Sequence, residues 1–159
     1  MKKICLILII GAILFGSCNQ KREDSSSAIQ TSPKEVFTTH NGAIDGYDPV
    51  AFFLEGKPVK GETRFSHEWH GATWHFASQE NLDAFKADEE KYSPQYGGYC
   101  AYGTAQGHKA PTQPDAWALV DGKLYFNYNK DVQVKWIGNQ KEFIETADKK
   151  WPDVKLQAD

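Results

Sequence analysis

The chain has 159 residues, 18 of them basic and 21 acidic, for a net charge of −3. That length allows one domain once an N-terminal segment is set aside. The acidic balance, with no basic stripe, excludes a nucleic-acid-binding surface.

Residues 1–18 have the make-up of an export signal. Lys2 and Lys3 form a charged start, Ile4 to Phe15 form an apolar run, and small residues precede Cys18. The run is too short for a comfortable membrane span. Phe15-Gly16-Ser17-Cys18 resembles a lipobox, where bacterial lipoproteins are cleaved and lipidated on cysteine, with Phe15 in place of the usual Leu. An ordinary secretory cleavage near Ser17 is the alternative. Lipidation at Cys18 would tether an otherwise soluble domain to the cell envelope, on a periplasmic or outer face, and would be the only membrane contact. Cys5 then leaves with the signal and Cys18 carries lipid. Cys100 becomes the only free thiol of the exported part, and a disulfide framework is excluded. Loss of Lys2 and Lys3 takes the exported part to a charge of about −5.

Residues 19–34 are polar and rich in Ser, Gln and charge, and read as a flexible tether. The folded domain is expected over residues 35–155. Val36 to Thr39 reads as a short strand or lead-in. Asp48 followed by Pro49 marks a helix start, with the helix running to Leu54. Residues 63–77 read as a β-hairpin turning at His70-Gly71. That register puts Trp69 opposite Ala72, His67 opposite Trp74 and Phe65 opposite Phe76. His67 then lies on the aromatic face and His75 on the wet face. Ser78 caps a helix to about Asp88, residues 89–92 add a turn, and Pro94 stops it. Residues 96–103, Tyr-Gly-Gly-Tyr-Cys-Ala-Tyr-Gly, read as a tight aromatic loop around Cys100, and residues 104–114 read as irregular. Asp121-Gly122 between apolar runs predicts a second hairpin over residues 116–128. Asn129 caps a helix to about Ile137. A last helix covers residues 140–149 and ends at Trp151-Pro152. The expected fold class is α+β: two β-hairpins in one small antiparallel sheet, short helices and a C-terminal helical pair.

From about Asp45 to Pro152 the chain resembles the YHS domain family, in its exported bacterial branch. The resemblance rests on Gly46-Tyr47-Asp48-Pro49-Val50-Ala51-Phe52-Phe53, Gly71-Ala72-Thr73-Trp74 through Ser78, Asn81 with Phe85, and Tyr96-Gly97-Gly98-Tyr99-Cys100-Ala101-Tyr102. It continues through Val120 to Tyr125 and Ala147-Asp148 to Trp151-Pro152. The resemblance implies a small metal-binding module related to treble-clef-like metallochaperones. The best-known form of the family carries Phe-Cys-Ser…Cys after the second hairpin strand. Here Ala77 and Asn81 stand at those places, and neither can ligate through a thiolate.

Three chemistries remain for the loop. Cys100 with His67, His108 or His75 would suit copper or zinc for metal handling or tolerance. A Cys–His pair would suit thiol chemistry, although nothing matches a cysteine-enzyme signature and no catalytic residue is assigned. The rings of Tyr96, Tyr99 and Tyr102 would suit a metal-free pocket for a small molecule or protein segment.

Overall fold

The computed structural model describes residues 33–158. The expected export signal, the expected lipidation site Cys18 and all but the end of the expected tether lie outside the described residues. Where turn and cap chemistry is strong, the elements fall where the sequence places them. The carboxylate of Asp48 accepts from the first turn of α1 (Pro49–Leu54), and Ser78 and Asn129 do the same for α2 (Gln79–Ala87) and α5 (Lys130–Ile137). Asp88 caps the short α3 (Glu89–Tyr92).

Ahead of α1, β1 (Thr38–Thr39) and β2 (Gly42–Ala43) make a hairpin too short to leave an alternating pattern in the sequence. The hairpin of β3 (Glu62–Trp69) and β4 (Ala72–Phe76) turns at His70-Gly71, both with positive φ. Trp69 faces Ala72 and His67 faces Trp74, as expected, but Phe76 pairs with Glu62 rather than Phe65. A bulge between Glu62 and Ser66 absorbs the extra residues. The β5 (Trp117–Val120) and β6 (Lys123–Phe126) hairpin turns at Asp121-Gly122, again with both φ positive.

The class is α+β. Instead of one sheet, each hairpin forms its own two-stranded antiparallel sheet. The cause lies along the outer edge of β6. Its backbone neighbours there are Pro94 and Cys100, which bridge to Leu124 and Phe126 in parallel fashion. That edge is thereby occupied by the glycine-rich segment.

Two departures concern helices. The stretch after Cys100 is the helix α4 (Ala101–Gln106) rather than loop. Its signal was hidden because the N-cap is a cysteine, outside the usual Ser/Thr/Asp/Asn set. The last helix, α6 (Gln140–Val154), runs through Trp151 and Pro152 instead of ending there. Lys155 N still donates to Trp151 O at 2.9 Å, so the turn beyond the proline closes. Packing on α4 outweighs the propensity cost.

Two hydrophobic clusters result. One joins α1, α2 and the β3–β4 hairpin around Phe52, Trp74, Phe76 and Phe85, and includes Leu124 and Phe126. The other joins Tyr96, α4, Trp136 and α6, and includes Tyr125. Strand β6 is therefore a shared wall: its alternate side chains feed different cores, and all three are at least 98% buried. No helix among the described residues is long and apolar enough to cross a membrane.

Candidate functional site

Cys100 is buried, and its sulfur is already engaged. As the N-cap of α4 it accepts from Gly103 N at 3.4 Å, and it accepts from Tyr128 N at 3.2 Å. The Asn127 Oδ1 lies 3.9 Å from it. Burial pushes the thiol pKa up, against a smaller lowering by the backbone N–H donors. The group is thus a neutral thiol that ties α4 to the end of β6. A reactive thiolate needs the opposite environment.

The histidines are held elsewhere. His67 lies on the aromatic side of its hairpin, edge-on to Phe85, but its Nε2 meets Glu89 Oε1 at 3.1 Å. His75 corrects the sequence reading: it is half-buried rather than wet, with its Nδ1 enclosed and unpartnered. The β1–β2 hairpin covers it. A Cβ on Gly42 would come within 2.6 Å of Thr73 O and 3.0 Å of the His75 ring, so only glycine permits that approach. His108 is exposed, and its backbone N donates to Gly103 O at 3.1 Å. Among the described residues no group of three or more His, Cys, Asp or Glu side chains is placed to hold a metal ion.

The two positions that hold cysteine in the best-known form of the resembling family have another use here. Ala77 N and Asn81 Nδ2 both donate to Asp48 Oδ2, at 2.8 and 2.6 Å. The other oxygen accepts from Val50 N and Ala51 N. This fully buried carboxylate clamps α1, the end of β4 and α2 with four hydrogen bonds. The donor set fits a hydrogen-bonded carboxylate and not a soft metal ion.

The tyrosines of the loop separate. Tyr99 packs on Phe37 and Trp151, and Tyr102 packs on Phe143. Tyr96 alone lines a cavity, of about 480 Å³, between the tip of the β3–β4 hairpin and α6. Its lining draws Trp69 and Trp74 from the β3–β4 hairpin, Asp148 and Trp151 from α6, and Lys123 from β6. The volume lies in the range of small-molecule sites.

Tyr96 is held in a costly conformation. Its φ is +54°, in the left-handed region that bulky residues avoid. Gly97 follows at φ +59°, and a Cβ there would lie 1.8 Å from Glu35 O. That contact, with Phe37 N donating to Gly97 O at 2.9 Å, locks the lead-in segment over the loop. The strain places the phenol against α6, where Tyr96 Oη donates to Asp148 Oδ1 at 2.8 Å. Burial first, and then Asp148, hold the Tyr96 pKa far above its usual value. Backbone strain of this kind concentrates where a side chain must be aimed.

Glu35 ties the mouth of the cleft. It meets Lys155 Nζ at 3.1 Å and His70 Nδ1 at 3.2 Å, joining the lead-in, α6 and the hairpin tip. Lys155, then His70, lower its pKa. Sequence reasoning found Tyr96 but missed Glu35, Trp69, Asp148 and Trp151, which are distant in the chain. The only local sign was Asp148 and Trp151 lying three apart near the face of one helix.

No curated protein and no solved structure matches the chain. The family model described as YHS domain matches residues 50–96. That span begins in α1, contains the β3–β4 hairpin, α2 and α3, and ends on the strained Tyr96. Over those 47 of its 159 residues the chain is similar to the YHS domain family.

Proposed function

We propose that this chain is a non-enzymatic binding protein of the cell envelope, anchored through Cys18, that takes a small molecule in the cleft between the β3–β4 hairpin and α6. One observation carries the reading: a cavity of about 480 Å³ lined by tryptophans from both the β3–β4 hairpin and α6, with a strained, buried tyrosine fixed against Asp148. The anchor rests on Phe15-Gly16-Ser17-Cys18.

Copper or zinc handling is what the YHS resemblance implies, and it keeps that support alone. The Cys100 sulfur is occupied by two backbone donors, His67 meets Glu89, His108 faces solvent, and His75 is enclosed under the β1–β2 hairpin with no grouping of metal ligands around it among the described residues. A thiol enzyme centred on Cys100 meets the same objection, since its pKa is raised.

The experiment is a ligand screen on the purified full-length chain, read by tryptophan fluorescence and melting temperature, with Cu(I), Cu(II) and Zn(II) titrated beside it. Small molecules that quench fluorescence, and lose the effect in Trp151→Leu, support the cleft. Submicromolar metal binding that disappears in Cys100→Ser would replace this reading with the metal one. Membrane release of Cys18→Ser tests the anchor.

A further inference from the structure

We infer that the cleft selects a compact organic cation, a small molecule bearing an ammonium group; this rests on the reading of the cleft as a ligand site. The cleft has aromatic walls and an unbalanced set of charges.

Trp69 and Trp151 are half-buried and line the space, one from the hairpin and one from α6. Each is braced by other rings. Trp69 sits edge-on to Trp74 at 6.0 Å, and Trp151 lies at 5.8 Å from Tyr96. Braced indole rings present faces of negative potential at little entropic cost, and these attract cations.

The charged groups on the lining are Glu35, His70, Glu90, Lys123, Asp148 and Lys155. Glu35 and Lys155 neutralise each other, with His70 as a further partner of Glu35. Asp148 accepts a proton-bearing phenol from Tyr96, which positions the carboxylate without cancelling its charge. The Glu90 side chain has no hydrogen-bond or ion-pair partner among the described residues, and neither has the Lys123 ammonium. Two uncompensated carboxylates therefore face one uncompensated ammonium. Glu90 and Asp148 are solvent-exposed, so their attraction acts at the mouth, and the ring faces supply the contact further in.

Choline and its uncharged isostere 3,3-dimethylbutan-1-ol have nearly the same shape and differ in charge. Tryptophan quenching of the full-length chain by each, with glucose and succinate as a neutral polyol and an anion, tests the inference. Choline is expected to bind about tenfold tighter than the isostere. Glu90→Gln should reduce that preference. Lys123→Gln should increase it, a gain that damage to the fold would not produce. Equal binding of choline and the isostere, or binding of glucose or succinate without choline, overturns the cation and leaves the cleft standing as a site. No response to any of the four overturns both.

Discussion

At the scale of single residues, Cys100 is a helix cap made of sulfur. It accepts from Gly103 N and Tyr128 N in a space closed to water. Serine keeps an acceptor there and alanine does not. Cys100→Ala should therefore lose about 1–3 kcal/mol in urea unfolding, and Cys100→Ser clearly less. Alkylation of native Cys100 should be slow at neutral pH and become fast only on denaturation; rapid native labelling would contradict the burial. The pH dependence has a definite sign. Burial raises the pKa of Cys100 and of Tyr96, and raises that of Tyr125 to about 12. A group with a raised folded pKa contributes stability that is complete below its unfolded value and is lost as pH rises. Stability should hold through neutrality, begin to fall above about pH 8.5 as the unfolded-state thiol ionises, and fall faster above about pH 10 with the tyrosines. Cys100→Ser should remove the first part of that decline and leave the second, as read from urea midpoints against pH.

At the scale of elements, what could be read from the sequence was chemistry contained within a few residues. Asp48-Pro49, His70-Gly71, Ser78, Asp121-Gly122 and Asn129 each complete a cap or turn with neighbours in the chain, and each element starts or turns there. What escaped depends on distant contacts. The α4 cap needs a sulfur enclosed by Tyr128, 28 residues on. The β3 bulge is visible only in the pairing with β4. The cleft draws on the lead-in, the hairpin, the glycine-rich segment and α6, so of its residues only Tyr96 stood out. Pro152 is the sharpest conflict between local rule and outcome. Inside α6 it supplies no N–H to the Asp148 carbonyl four residues back, on the residue whose side chain receives Tyr96. Pro152→Ala restores that donor at an exposed position and should raise the melting temperature. A lower melting temperature would mean that the proline geometry itself is required to seat Asp148.

At the scale of the molecule, the two cores meet through one strand and the cleft lies at their seam. Leu124 and Phe126 belong to the core of α1, α2 and the β3–β4 hairpin, while Tyr125 between them belongs to the core of α4 and α6. Glycine-rich backbone from Pro94 to Cys100 runs along the outer edge of β6, and the Asp48 clamp joins α1, the end of β4 and α2 in the first core. Loss of either core would expose one face of β6, together with at least one wall of the cleft. Neither core can then melt alone at small cost, and the described residues should unfold as one cooperative unit. Trp74 reports on the first core and Trp136 on the second, each fully buried. Variants that retain one of these two as the sole tryptophan should give coincident thermal transitions by fluorescence, matching the far-ultraviolet circular dichroism transition. The retained indole is already packed in each case, so stability lost at the other sites shifts both probes of a given variant together. A gap between fluorescence and dichroism midpoints in one variant would show that its core opens separately. The cleft would then lie between two independently melting parts, and a ligand that bridges Trp69 and Trp151 would stabilise the molecule chiefly by holding them together.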